Sequence, residues 1–356
     1  MAAATLEELL QRMVERGASD LHVTTDSPPR IRVDGDLVPT EHDILGPEET
    51  KRLVYGLLTS EQVARFEQNR ELDFSFGVQG LGRFRTNVFQ QRGAVGMVLR
   101  IIPTTVVPLE KLGLPVETCK KLCMLPKGLV LVTGATGSGK STTLAAMLDF
   151  INQNRQEHVV TIEDPIEFVH SNKKALFNQR EVGSDTKGFT NALRAVLRQD
   201  PDVVLIGEMR DPETISAALT LSETGHLTFG TLHTSDCVQT MNRIIDSFPA
   251  HQQPQVRTQL SFVLQAVFCQ QLLPKASGKG RLLASEVMVC NAAIRSLIRE
   301  DKSHQIYSQI QTGGRQGMRT MNQSLAEHVD RGNLSYETVM EYTTDPDDLK
   351  RVLKRA

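Results

Sequence analysis

Leu129-Val130-Leu131-Val132-Thr133, running into Gly134-Ala135-Thr136-Gly137-Ser138-Gly139-Lys140-Ser141-Thr142, decides how the rest of the chain is read. The opening residues are aliphatic or β-branched without polar alternation, as in a strand buried on both faces. Gly134 to Ser141 match the phosphate-loop pattern G-x4-G-K-[ST] in full. Three glycines let backbone N–H groups turn inward around a β-phosphate. Lys140 reaches the β- and γ-oxygens, and the Ser141 hydroxyl can bind Mg2+. Lys140 to Asn152 then repeats apolar residues at helical spacing, with Leu144, Met147, Leu148 and Ile151 on one face. Strand, loop and helix in this order put a phosphate at a helix N-terminus. Gly134 to Thr142 are therefore expected to bind a nucleoside triphosphate with its Mg2+.

Further along, Val159–Ile162, Val203–Ile206 and Leu227–Leu232 are short apolar runs separated by helical stretches. That alternation predicts an α/β fold with a doubly wound parallel sheet. The first run finishes in Glu163-Asp164 and the second in Gly207-Glu208. The third finishes in His233 and has His226 at its start. In an open parallel sheet the carboxyl ends of the strands face the ligand crevice. Lys140, Glu163, Glu208 and His233 should therefore converge on one γ-phosphate. One carboxylate can orient the attacking water, and another can hold the metal's water shell. A guanine-reading Asn-Lys-x-Asp is missing, since Asn172-Lys173-Lys174-Ala175 lacks the acid.

Upstream, the first hundred residues read as an α+β module. Leu6, Leu9, Leu10, Met13 and Val14 recur at helical spacing before Gly17, and Asp20 to Thr25 alternates like a strand. Ile31 to Val38 is a hairpin on Asp34-Gly35. A helical pair, Pro47–Leu58 and Ser60–Asn69, precedes a meander from Asp73 to Ile102 with Phe74, Phe76, Phe84 and Val88 at expected buried positions. Pro103, Pro108, Pro115 and Pro126 then punctuate an expected linker over 102–127, with one short helix at Val116–Met124. The resulting divisions are 1–101, 102–127, 128–291 and a helical C-terminal region over 292–356, with Asp345-Pro346 opening the last helix.

The 356 residues carry 40 Lys and Arg against 42 Asp and Glu, so blanket neutralisation of nucleic-acid phosphates is not expected. Apolar runs such as Gly128–Thr133 and Phe262–Phe268 fall far short of the ~20 residues a bilayer needs. Met1–Arg16 carries Glu7, Glu8 and Glu15 and does not read as a signal peptide. The five cysteines, odd in number and scattered, are expected to be reduced cytosolic thiols. Cys119 and Cys123 have no second Cys or His pair at ligand spacing and are read as plain helix residues.

Together, Gly134–Thr142, the acidic box Thr161–Glu167, the Walker B string Asp200–Asp211 and the histidine box Gly225–Thr234 resemble the secretion ATPases of type II secretion and type IV pili. Order and spacing match across essentially the whole chain. Ala293-Ile294-Arg295-Ser296-Leu297-Ile298-Arg299-Glu300 resembles the AIRNLIRE signature of the twitching-motility (retraction) branch, with Ser296 in place of Asn. No pair of CxxC motifs, usual in assembly-type relatives, occurs.

The resemblance implies a PAS-like N-terminal domain, a RecA-like ATPase core and a homohexameric ring. It implies ATP and Mg2+ as cofactors, with Ser141 and, through water, Glu208 on the metal. Glu163 is implied as general base, Glu208 as the Walker B carboxylate, and His226 and His233 as groups coupling phosphate to the ring. Arginines of the N-terminal domain complete the site in this family. Arg85 and Arg100 match best, with Arg83 on the same strand face as Arg85. Ala293 to Glu300 are implied to couple the power stroke: Ile294, Leu297 and Ile298 should pack inward, with Arg295, Arg299 and Glu300 pointing elsewhere. The implied setting is cytoplasmic and peripheral at the inner membrane. The implied partners are a pilus platform protein and a paralogous retraction ATPase, without nucleic acid.

Overall fold

The computed structural model describes residues 5–354. The chain divides between Thr104 and Thr105 into two compact units.

In the first unit Thr5 and Glu8 form a capping box that starts α1 (Leu6–Glu15), which buries Leu9, Leu10 and Met13. Next come β1 (Asp20–Val23), β2 (Arg30–Val33), β3 (Asp36–Pro39), α2 (Pro47–Tyr55), α3 (Ser60–Asn69), β4 (Glu71–Val78), β5 (Gly82–Gln91) and β6 (Ala94–Ile102). The strands form one antiparallel sheet in the order β3-β2-β1-β6-β5-β4. The β2–β3 turn places Asp34 at φ 50° and Gly35 at φ 97°, the left-handed pair this hairpin needs. Phe84 and Val88 are fully buried in one core with Leu21, Met97 and Leu99 of the neighbouring strands. Phe74 and Phe76 are only half-buried, because β4 is an edge strand with a neighbour on one side.

The second unit opens with residues expected as a linker. From Thr105 onward they are instead packed into it. Leu109, Leu114 and, on α4 (Val116–Cys123), Cys119, Leu122 and Cys123 share a core with β7 (Gly128–Thr133) and α5 (Lys140–Asn154). Apolar residues between the prolines are the physical reason: exposed, they would cost the burial this face provides.

The chain continues through β8 (His158–Glu163), β9 (Leu176–Glu181), α6 (Phe189–Val196), β10 (Val203–Ile206), α7 (Pro212–Glu223), β11 (Leu227–Leu232), α8 (Cys237–Asp246), α9 (Gln253–Val263), β12 (Leu264–Pro274) and β13 (Arg281–Val289). Helices α10 (Ala292–Arg299), α11 (Ile306–Thr312), α12 (Met321–Asp330), α13 (Tyr336–Tyr342) and α14 (Pro346–Leu353) end it. The seven-stranded sheet runs β13-β12-β7-β11-β10-β8-β9, parallel except for β13.

Alternate residues of each central strand feed opposite cores. Leu129, Leu131, Val160, Ile162, Val204 and Ile206 meet one set of helices, and Val130, Val132, Val159, Val203 and Leu205 meet the other. Helices on both faces explain why these strands read as unbroken apolar runs. Among the described residues, no helix is long and apolar enough to cross a membrane.

Candidate active site

The loop after β7 is built around conformations that only glycine adopts easily. Gly134, Gly137 and Gly139 have φ of 140°, 79° and 94°. A Cβ on Gly134 would lie 2.4 Å from the Gln270 carbonyl oxygen, so this backbone passes too close to β12 for any side chain. Gln270 also donates through Nε2 to Thr143 Oγ1 at 2.7 Å, tying β12 to the first turn of α5. Ala135 to Gly137 are exposed, as is Ser141. Lys140 Nζ donates to the Gly134 and Ala135 carbonyls at 2.7 and 3.1 Å. Burial lowers its pKa, opposed by the negative charge of Glu208.

Glu163, the last residue of β8, is 8% exposed. Its Oε1 accepts from Thr161 Oγ1 at 2.6 Å and from Gln179 Nε2 at 3.3 Å, and its Oε2 accepts from the Glu167 amide at 3.4 Å. Burial raises its pKa above the ordinary carboxyl range, and these hydrogen bonds only partly offset that. A carboxyl so placed can take a proton nearer neutrality than an exposed one.

Glu208 is held by two groups. Arg210 Nη2 donates to its Oε2 at 2.7 Å, and His233 Nε2 lies 3.2 Å from its Oε1. The Arg210 hydrogen bond is the main reason its pKa lies below the usual value. β8 and β10 are in register at Ile162 and Ile206, and the Gly207 amide donates to the Ile162 carbonyl. Glu163 and Glu208 thus leave neighbouring strand ends. Ser141 and Glu208 offer hard oxygen donors suited to Mg2+, which characteristically takes one or two protein oxygens alongside phosphates and water.

The two histidines separate. His233 follows the carboxyl end of β11, beside Glu208. His226 precedes its amino end, where its carbonyl accepts from the Gly128 amide and its Nδ1 donates to the Leu221 carbonyl at 3.0 Å. With the length of β11 between them, His226 stands ~20 Å along the strand from the phosphate-loop end, and its ring closes off α7.

Arg85 and Arg100 lie directly opposite each other on β5 and β6, both exposed. Arg100 Nε donates to the buried Asp20 at 2.7 Å, whereas the Arg85 side chain makes no hydrogen bond or ion pair with the described residues.

In α10, Ile294 and Ile298 are buried and Leu297 partly so. Arg295, expected to point away, instead donates to the Ser261 and Phe262 carbonyls at 2.7 and 2.8 Å and to Gln265 Oε1 at 3.1 Å. It caps the C-terminus of α9, whose last carbonyls lack intrahelical donors. Ala293 is exposed, Ser296 Oγ donates to Glu300, and the Arg299 guanidinium lies 5.8 Å from the exposed Phe262 ring. Arg210, Thr161 and Gln179 were not singled out from sequence. Arg210 and Thr161 each carried a signal, standing inside the Walker B string and at the start of the acidic box, whereas Gln179 lies in no motif.

Residues 2–341 match the family model described as "Type II/IV secretion system protein". The chain is 51% identical over 348 residues to the "Type IV pilus retractation ATPase PilT" of Pseudomonas aeruginosa, covering 96% of this chain and 99% of that one. It is 42% identical to the "Type IV pilus ATPase PilU" of the same organism, covering 98% and 91%. The solved structure "Crystal Structure of the Pilus Retraction Motor PilT and Bound ADP" superposes with a TM-score of 0.91 at 50% identity, covering 98% and 99%. With its phosphate loop, strand-end acids and full-length similarity, the chain belongs to the type II/IV secretion system ATPase family.

Proposed function

We propose that this chain is the ATP-hydrolysing motor of type IV pilus retraction and twitching motility. The observation that carries this is 51% identity to a retraction ATPase across nearly the whole of both chains, against 42% to its paralogue. The order β12-β7-β11-β10-β8, with the phosphate-loop strand beside the His233 strand, supports a RecA-like reading of the second unit. The helices and antiparallel sheet of residues 1–101 support a PAS-like one.

In this reading the phosphate loop, Gly134–Thr142, binds ATP, and Lys140 leaves its own loop carbonyls for the β- and γ-phosphates. Ser141 and, through water, Glu208 hold Mg2+, which when bound neutralises developing charge on the phosphates. Glu163 takes a proton from the attacking water while His233 and Arg210 hold Glu208 in place. Subunits form a homohexamer in which Arg85 and Arg100 complete a neighbour's site. The ring works at the cytoplasmic side of the inner membrane, on a platform protein and beside a paralogous ATPase. His226 and Ala293 to Glu300 carry the stroke rather than the chemistry.

Deletion of the gene in a piliated host tests the direction of force. Hyperpiliated, non-twitching cells are expected, whereas bald cells would assign the chain to pilus assembly. An ATPase rate unchanged by added single- or double-stranded DNA is expected, and stimulation by DNA would favour a translocase.

A further inference from the structure

We propose that Cys237, Cys269 and Glu286 form a binding site for a thiophilic divalent cation of the zinc group, apart from the ATP-linked Mg2+ site. Their three ligand atoms all lie within 4.8 Å of one another, and they are the one such group among the described residues. Three separate elements supply them. Cys237 is the first residue of α8, while Cys269 on β12 and Glu286 on β13 are register partners. All three are buried, and both cysteines are free thiols.

The geometry fits a metal better than a disulfide. The sulfurs are 3.7 Å apart, whereas a disulfide requires ~2.05 Å. Two thiolates at ~2.3 Å from a tetrahedral zinc-like ion stand ~3.8 Å apart. Glu286 is already aimed at the α8 N-terminus, its Oε1 accepting from the Cys237 amide at 2.8 Å. Thr133 Oγ1 donates to Cys269 Sγ at 3.0 Å, so the last residue of the phosphate-loop strand touches the cluster. Two sulfurs and one carboxylate select a borderline-soft cation over Mg2+.

Binding forms two sulfur–metal bonds and one oxygen–metal bond. Both thiol protons leave to solvent, and no electron is transferred. Because Thr133 immediately precedes Gly134, an occupied site would stiffen the strand end that carries the phosphate loop.

Cadmium is the probe, titrated into the full-length protein in excess Mg2+. The readout is thiolate-to-cadmium charge-transfer absorbance, which carboxylates and hydroxyls cannot produce. One equivalent is expected, with a raised unfolding midpoint. Cys237→Ser and Cys269→Ser should each abolish the signal, and Glu286→Gln should weaken affinity at least ~10-fold. The triple variant Cys119→Ser, Cys123→Ser, Cys290→Ser retains only the proposed thiols and should keep the full signal. Because Cys119, Cys123 and Cys290 are themselves buried, its fold is checked by circular dichroism before titration. No charge-transfer band in folded wild type, or its loss in the folded triple variant, overturns the proposal.

Discussion

At the level of single residues, the two strand-end carboxylates are set apart by what surrounds them. Glu163 is buried and held above the ordinary carboxyl pKa, while Glu208 is held below it by Arg210. Opposed shifts on neighbouring acids separate a proton acceptor from a metal-side ligand. Glu163→Gln should therefore keep ATP binding and lose turnover by at least ~10²-fold, measured as nucleotide affinity against kcat. Because the base must be ionised, wild-type kcat should fall as pH drops through the raised Glu163 pKa. That limb should begin at higher pH than an exposed carboxylate would set, and a residual rate in the Gln variant should lack it. Near-normal turnover in the Gln variant would move the base to Glu208. Arg210 offers a contrasting case. Its side chain is 66% exposed, so Arg210→Ala should cost no more than ~1 kcal/mol in denaturant unfolding. A larger loss would mean that the pair organises more than the strand end.

Elements show where local and tertiary information part. Gly134→Ala puts a methyl group against the Gln270 carbonyl in a backbone conformation unsuited to it. A loss of ~1–3 kcal/mol, with nucleotide binding abolished, is expected by thermal unfolding and ligand titration. The loop's glycines were readable because backbone geometry is written in the residue type. The central strands were readable for a related reason, since burial on both faces leaves runs that are aliphatic, aromatic or β-branched, with threonine and glycine as their only interruptions between Val159 and Ile162, Val203 and Ile206, and Leu227 and Leu232. β9 was not readable: Leu176 to Glu181 is a sheet edge with polar residues at its centre. β12 was hidden because it follows α9 with no breaker between Val263 and Leu264.

In α10 the amphipathic spacing correctly placed Ile294 and Ile298, but nothing local announced that Arg295 would cap another helix. Its role changes the test of this element. Arg295→Ala should destabilise by ~1.5–3 kcal/mol through loss of charged hydrogen bonds, whereas Arg299→Glu should leave unfolding nearly unchanged. If the exposed side of α10 transmits force, cells carrying Arg299→Glu should fail to twitch while the purified protein keeps its ATPase rate. Normal twitching would confine α10 to a packing role.

Over the whole molecule, the strongest demand falls on a pair of arginines that no acid fully balances. Asp20 sits between Arg32 and Arg100 across three strands and pairs with both, at 3.9 and 2.7 Å. Arg85, next in the row and opposite Arg100, has no carboxylate of its own. Like charges placed directly across a sheet destabilise it, so an anion that both can contact would relieve the first unit of a standing cost. In the proposed ring that anion is a neighbouring subunit's nucleotide. Specific ATPase activity should then rise with protein concentration, and Arg85→Ala or Arg100→Ala should lower kcat by up to ~10³-fold. Mixing gives the sharper measurement. Glu163→Gln subunits keep their arginines and Arg85→Ala subunits keep their base, so each is inactive alone. Where an Arg85→Ala subunit's Glu163 meets a Glu163→Gln subunit's Arg85, a complete site re-forms. Mixed rings should regain activity in proportion to such contacts. A mixture that stays as inactive as its parents, with rings verified by sedimentation, would place the arginines in their own subunit's site or in none.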